Sequence, residues 1–219
     1  MPRLFLSAAL ITGLSACNSG PKAPEVDAAQ PAATMLSGKV AGQTSGQIEY
    51  RAGERVLASA ALDAAGTFSF PLPAETELNP GSLTSLVDGL TCSGLPSSSN
   101  VAAKYATLSE LSLGGKTYIP AYLAEKGLLN RVVLATPYVY STADTTLSGT
   151  VSCDFFGVVT GPATFNDVKL KKGWNLLYVR MDASLGLSGL SANASVRNHS
   201  NTAQSDWTEK ESLIQQLKP

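Results

Sequence analysis

The sequence contains few of the residues from which most enzyme sites are built. Histidine occurs once, as His199, cysteine occurs three times, and only 15% of the residues are charged. A catalytic triad would depend on that single histidine, and a zinc site needs three or four closely spaced ligands. The sequence has neither a Gly-x-Ser-x-Gly elbow nor a glycine-rich phosphate-binding loop. We therefore expect no catalytic residue, no metal and no cofactor, and we expect His199 to be an exposed loop residue.

The charges are nearly balanced, and this argues against a nucleic-acid partner. Sixteen Lys and Arg residues oppose 17 Asp and Glu residues, and no basic cluster stands out. Two carboxylates would suffice for a glycosidase-like hydrolase, but no spacing selects a pair. We expect the candidate acids to be solvated loop charges: Glu75, Glu77, Asp154, Asp182, Asp206, Glu209 and Glu211.

The first 17 residues, MPRLFLSAALITGLSAC, are organised like an export signal. Arg3 precedes an apolar stretch that is shorter than the roughly 20 residues of a membrane-spanning helix, and small residues lead to Cys17. This arrangement resembles the lipobox of bacterial lipoproteins, in which the cysteine receives a diacylglyceryl group and the chain is cut before it. The resemblance implies a signal peptide over residues 1–16 and acyl chains, such as palmitate, on Cys17. The alternative is an ordinary signal peptide that is cut nearby.

Membrane lipid, held through Cys17, is therefore the first partner that we expect, because two or more acyl chains anchor a protein stably. Asn18 follows the cysteine. Aspartate at that position resembles the inner-membrane retention signal of bacteria with two membranes, whereas asparagine does not, so the outer membrane is favoured. Residues 17–34 are rich in Pro, Ala and small polar residues, which is typical of a flexible tether. A further envelope partner is expected, but the sequence does not identify it.

Cys92 and Cys153 remain once Cys17 is assigned to the anchor. An exported protein meets an oxidising compartment, where paired thiols become disulfides. We predict a Cys92–Cys153 bridge, with two buried free thiols as the alternative. Such a bridge would stabilise the fold by about 4 kcal/mol through loop-closure entropy.

From Met35 onward the apolar residues alternate with polar ones, which is typical of half-buried strands. The segment DAAG at 63–66 predicts a hairpin turn, and LKKG at 170–173 predicts a second hairpin whose following strand, WNLLYVR, is apolar on both faces. The segment 74–100 is rich in Pro, Gly and Ser and predicts a long loop, and 184–201 predicts a small-residue loop with a weak last strand. The fold class predicted is all-β, an antiparallel β-sandwich.

Residues 36–73 resemble the opening of transthyretin-like or carboxypeptidase-regulatory β-sandwich modules. The resemblance rests on a Gly-x-Val strand, a middle strand and the segment DAAGTFSF. Such modules are usually non-catalytic. The stretch from YVYSTADTTLSGTVSC through VKLKKGWN to Trp207 resembles a group of bacterial envelope lipoproteins of uncharacterised function. That resemblance implies one domain over residues 35–207.

A short amphipathic helix is predicted over residues 208–219. Thr208 and Glu211 have capping-box spacing, and Leu213, Ile214 and Leu217 follow. We expect this helix to pack on the domain, with partner binding as the alternative.

The aromatic residues supply a binding hypothesis. Tyr118, Tyr122, Tyr138 and Tyr140 lie close together in sequence, near two prolines. One interpretation is a surface that stacks on sugars or anchors a partner. The other is that the four rings pack in the core and across strands. Lys169, Lys171 and Lys172 either contact Trp174 or an anionic polymer, or are solvated residues at a hairpin edge.

The sequence therefore predicts a non-catalytic binding or structural module anchored in the envelope. The alternatives are a carrier of a small apolar ligand, which requires a pocket of several hundred Å³, and a hydrolase that uses two carboxylates.

Overall fold

The computed structural model describes residues 30–78, 83, 91–94, 96–187 and 189–218. Over these residues the protein is all-β with one short terminal helix, which confirms the predicted fold class. The strands are β1 (Met35–Val40), β2 (Gln47–Ala52), β3 (Arg55–Ala61), β4 (Thr67–Pro71), β5 (Cys92–Ser93), β6 (Ser97–Ser98), β7 (Tyr105–Leu108), β8 (Leu111–Leu113), β9 (Lys116–Ile119), β10 (Ala121–Lys126), β11 (Asn130–Ala135), β12 (Tyr138–Ser141), β13 (Thr145–Phe155), β14 (Val159–Leu170), β15 (Gly173–Gly186), β16 (Gly189–Asn198) and β17 (Ser205–Glu209). The helix, α1, is Lys210–Leu217.

The first sheet has seven strands in the order β3-β2-β8-β9-β17-β1-β4. The last strand of the chain, β17, lies inside this sheet, where it pairs parallel with β1 and antiparallel with β9. The second sheet has ten strands, and its main path is β10-β11-β15-β16-β14-β13-β5. The sheets are thus mixed, since β14 and β16 also pair in parallel.

The prediction that LKKG closes a paired hairpin is wrong in one respect. Lys171 and Lys172 do form the turn from β14 to β15, but β16 lies between these two strands in the sheet. The side chain of Asn198, at the end of β16, bonds both the backbone N–H and the carbonyl of Lys169. Residues 189–198 are therefore a central strand of ten residues and not the predicted weak one.

The turn predicted at 63–66 is present, but it does not join paired strands. The Asp63 carboxylate accepts bonds from the backbone N–H groups of Ala65 and Thr67 and from the Thr67 hydroxyl, and Gly66 adopts a positive φ of 76°. The strand after the turn pairs with β1, while β3 lies at the opposite edge of the sheet. The hairpin prediction is therefore wrong, although the turn residues were identified correctly.

The described residues form two large hydrophobic cores and a small third cluster of Val132, Leu134 and Tyr178. The aromatic core lies between the first sheet and strands β7, β12 and the start of β15; its rings are Phe68, Phe70, Tyr118, Tyr138, Tyr140, Trp174 and Trp207. The aliphatic core lies on the second sheet and consists mainly of Val, Leu and Ala side chains together with Cys153. Strand β15 contributes Leu176 to the first core and Leu177 to the second, as its two apolar faces predict. The assignment of residues 35–207 to one domain stays a prediction.

The C-terminal helix packs on the domain, as expected. Leu213 and Leu217 are buried in the aliphatic core at 0% and 3% exposure. The predicted capping box is wrong, because Thr208 belongs to β17 and Glu209 is the N-cap residue, without a side-chain capping bond. Hydrophobic docking, and not capping, holds this helix.

Candidate functional site

A largely apolar pocket of about 280 Å³ opens at the edge of the aliphatic core. Its base is the second sheet, and its rim comes from the β13–β14 turn, from loops around β9 and from the start of α1. The lining residues include Cys92, Ile119, Ala121, Ala135, Cys153, Phe155, Phe156, Ala163, Phe165, Val179 and Val196. Small alanines at three of these positions leave the space that larger side chains would fill.

The predicted disulfide is confirmed and forms part of the pocket wall. Cys92 and Cys153 are joined with an S–S distance of 2.00 Å, and they face each other across β5 and β13. Thr91 strengthens this junction, because its carbonyl accepts the Asp154 N–H at 3.0 Å and its hydroxyl donates to the Asp154 carbonyl at 3.1 Å. The bridge thus fixes one side of the pocket to β13, next to the edge of the second sheet.

Two residues in the pocket wall have an unfavourable backbone conformation. Thr91 has φ 54° and Phe156 has φ 62°, a region that β-branched and bulky residues rarely adopt. Of the three non-glycine residues with positive φ in the described parts of the chain, these two line the pocket. Such strain costs of order 1–3 kcal/mol and concentrates at functional sites. At Phe156 the positive φ is that of the β13–β14 turn, because Gly157 also has a positive φ of 71° and the Val158 N–H donates to the Phe155 carbonyl. The conformation of Thr91 is therefore the second observation that marks this pocket.

The polar groups at the pocket rim already have partners within the protein. Lys210 Nζ lies 2.7 Å from Glu110 Oε1, and the Asp154 carboxylate accepts the Gly157 N–H at 2.9 Å. The Ser109 side chain completes this rim. The pocket therefore offers its occupant mainly apolar contact, with a neutralised ion pair at the edge.

Three of the four tyrosines predicted as a binding surface are buried in the aromatic core. Tyr118, Tyr138 and Tyr140 are 2%, 0% and 5% exposed, so the surface prediction is wrong for them and the core alternative is confirmed. Burial, a hydrogen bond to Glu75 and the charge of Glu75 raise the pKa of Tyr140 to about 12. Only Tyr122, at 38% exposure, reaches the surface.

His199 is half-buried and not exposed, which corrects the prediction. Its ring packs edge-on against Tyr178 with centroids 5.9 Å apart, and its Nδ1 accepts the Ser200 N–H. Burial lowers the pKa of His199 below its usual value. This histidine lies at the end of β16 and is absent from the pocket lining.

Most of the candidate carboxylates bond neighbouring residues in ways that organise the fold. Glu75 accepts from Tyr140, Glu77 from the Ala74 N–H, and Asp154 from Gly157. Asp182 pairs with Arg180 and Glu209 with Lys116. Glu211 lies in the first turn of α1, and Asp206 is exposed on β17. Of these acids, Asp154 alone lines the pocket.

The lysines near Trp174 serve the turn in which they lie. Lys171 pairs with Asp144 at 3.0 Å, and Lys172 lies 3.6 Å from Glu75. A bond from the Lys172 N–H and one from the Lys171 ammonium lower the pKa of Asp144. Trp174 itself is buried, and its Nε1 donates to the Pro73 carbonyl at 2.8 Å.

The remaining sequence predictions concern the lipid anchor, membrane-spanning segments and metal sites. Cys17, the signal peptide and most of the tether lie outside the described residues. Within the described ranges, no helix is long and apolar enough to cross a membrane, and no three His, Cys, Asp or Glu side chains are grouped to hold a metal ion. Two patterns in the sequence correspond to the pocket: the double phenylalanine after Asp154, and alanines within apolar strand segments.

The chain matches no protein-family model, no curated protein and no solved structure.

Proposed function

We propose that this protein is a non-catalytic lipoprotein of the bacterial envelope whose β-domain binds a small apolar molecule. The observation that carries the binding role is the pocket of about 280 Å³ with its largely apolar lining. A volume near 300 Å³ suits a small ligand. The unfavourable backbone conformation of Thr91 in the pocket wall supports the same assignment.

The partners of the acidic residues support a role without catalysis. A hydrolase of the two-carboxylate type needs two acids that converge on a cleft and remain free to exchange protons. At the pocket rim, Glu110 is paired with Lys210 and Asp154 accepts a backbone N–H. These bonds hold loops in place and leave the acids little freedom to act on a substrate.

The anchor is tested by comparing the wild-type protein with Cys17→Ala in a bacterial host. We expect the wild-type protein to fractionate with the outer membrane and to carry the mass of acyl chains, and the variant to lose both. Two soluble proteins whose masses differ by no more than the sulfur atom of Cys17 would disprove the lipoprotein assignment. In that case the protein is secreted without an anchor, and the pocket can still be tested.

The pocket is tested with the neutral probe N-phenylnaphthylamine, whose fluorescence rises in apolar surroundings. Ala135→Leu places a larger side chain in the pocket lining, and Ala58→Leu makes the same change at a half-buried position against the aromatic core. We expect saturable binding to the wild-type protein and to Ala58→Leu, and loss of binding in Ala135→Leu. Equal fluorescence in all three proteins would place the probe elsewhere and contradict the proposal.

A further inference from the structure

Three leucines stand out on the surface of the second sheet. Leu128 and Leu129 lie in the β10–β11 turn at 93% and 54% exposure, and Leu187 lies between β15 and β16 with its side chain fully exposed. We call these residues the leucine tips. Hairpin turns usually carry polar residues or glycine, so bulky apolar side chains at these positions need a reason.

The two turns lie side by side. Strand β11 pairs with β15, so that Asn130 is opposite Ser184, and the Leu185 N–H donates to the Leu129 carbonyl at 2.8 Å. The three exposed leucines therefore lie in two adjacent turns at one end of the sheet. This backbone bond joins the two turns and holds them in a fixed arrangement.

Cations flank the leucine tips. Lys126 and Arg131 are opposite each other in the β10–β11 ladder. The Arg131 guanidinium donates to the Gly127 and Asn130 carbonyls of the turn and to the Gln216 carbonyl near the end of α1, two residues before Lys218. Glu125 is the acid in this ladder segment, and Asp182 on β15 is paired with Arg180. The local charge is thus positive around an apolar protrusion.

We propose that the leucine tips insert into the headgroup region of a lipid bilayer that contains anionic lipids. Exposed leucines beside Lys and Arg are the combination that binds such an interface, because the apolar side chains enter the acyl boundary while the cations contact the phosphates. The pocket is formed by other residues, and so this surface is a second site.

The position of the first described residues is compatible with a lipid bilayer at the leucine tips. Only this comparison of lengths rests on the proposed lipid anchor at Cys17. Ala33 pairs with Trp174 at the beginning of β15, whereas Leu187 follows its end. Along β15 these points are separated by about 43 Å, at roughly 3.3 Å per residue. The residues from Cys17 to Gln30 span up to about 45 Å when extended. The leucine tips therefore reach the membrane to which Cys17 is anchored when this segment is almost fully extended, well beyond the roughly 20 Å that a flexible chain of this length spans on average.

The test places a tryptophan at each end of the second sheet in the full-length protein. Leu187→Trp and Leu128→Trp report from the leucine tips. Val101→Trp is the matched control, because Val101 is 94% exposed and lies at the opposite end of β15. The 142–144 loop shows this position, since it bonds Lys104, three residues after Val101, and Lys171, just before β15 begins. The native Trp174 and Trp207 are buried, at 3% and 0% exposure, and contribute a constant background.

Each variant is mixed with vesicles of brominated phosphatidylcholine, with and without phosphatidylglycerol. We expect the emission of both tip variants to shift to shorter wavelength and to be quenched, more strongly with phosphatidylglycerol, while Val101→Trp is unaffected. Equal quenching at both ends, or none at the tips, overturns the proposal. A shift that appears without lipid and grows with protein concentration also overturns it, because a second copy then covers the leucines. The intact mass of the same samples reports acylation, so failure of the anchor and failure of the tips are read separately.

Discussion

The two cores of this protein are packed in different ways. In the aromatic core, large rings meet edge-on, with Phe68 and Trp207 centroids 6.2 Å apart and those of Tyr140 and Trp174 5.5 Å apart. A Cβ atom added at Gly38 would lie 2.6 Å from ring atoms of both Phe68 and Trp207, so this region has no spare volume. The aliphatic core contains many alanines, is covered by α1 and borders the open pocket.

This difference separates the region that we expect to determine stability from the region that we propose to bind a ligand. Interlocked rings exclude water and resist any change of volume, because protein interiors are packed as densely as organic crystals. Small residues beside a disulfide can keep a pocket open, since the covalent bridge holds the wall that packing alone does not. We therefore expect the aromatic core to be sensitive to side-chain size and the pocket side to tolerate it.

The largest loss of stability is expected when one large ring is removed from the aromatic core. Trp207→Ala removes a fully buried ring from the middle of the first sheet and should lower the free energy of unfolding by about 3–5 kcal/mol. Urea unfolding measures this difference. Leu187→Ala is the control, because its side chain is fully exposed; a similar loss in both variants would contradict the assignment.

Removing the disulfide should be the next largest change. Replacing Cys92 and Cys153 together by alanine opens a loop between residues 61 positions apart and should cost about 2–4 kcal/mol. The same variant should also bind the apolar probe less tightly, because the pocket wall is no longer fixed. Unchanged probe affinity in a destabilised variant would show that the bridge serves stability alone.

A smaller effect is expected when one alanine is enlarged in the aromatic core and one at the pocket. This comparison tests the difference in packing most directly. Ala106→Leu in the aromatic core should cost about 1–3 kcal/mol through overpacking. Ala163→Leu should cost less, because Ala163 lines the pocket and the new side chain can extend into it. Urea unfolding of the two variants ranks them, and an equal or larger loss in Ala163→Leu would refute the difference in packing.

The smallest effect is the change of stability with pH that arises from two turns, one at Asp63 and one at Asp144. Hydrogen bonds, first from the Thr67 hydroxyl, lower the pKa of Asp63 below 3.8, and bonds from the turn at Lys171 and Lys172 lower that of Asp144. Because the pKa of each carboxyl is lower in the folded than in the unfolded state, these bonds stabilise the fold fully above about pH 3.8. Their contribution is lost as the pH falls through the folded-state pKa values. Asp63→Asn and Asp144→Asn should each reduce this acid sensitivity, as unfolding measured at successive pH values would show. An unchanged profile in both variants would exclude these turns as its source.

Local patterns predicted local structure well. Alternation identified most strands from Met35 to Val179, the two apolar faces of the strand after Lys172 were correct, and the cysteine count predicted the disulfide. Docking of the terminal helix also followed from its apolar spacing. Each of these properties depends on neighbouring residues or, for the disulfide, on the single pair of cysteines left within the domain.

Pairing between distant strands was not predictable from the same patterns. Tight turns at Asp63 and Lys171 indicated hairpins, but β1 pairs with the strand after the first turn and β16 separates the strands around the second. Alternation states which face of a strand is buried and not which strand lies beside it. The pocket was missed for the same reason, because its lining comes from strands far apart in sequence.

The insertion of β16 and β17 into the middle of the two sheets has a consequence for how the protein is made. A polypeptide that emerges from the ribosome starting with its N-terminus presents β16 and β17 after all the strands with which they pair. Without them β14 and β15 lack a common neighbour, and β1 is not joined to β9. Neither sheet can be completed before these strands have emerged, so a truncation before residue 189 should leave both sheets incomplete.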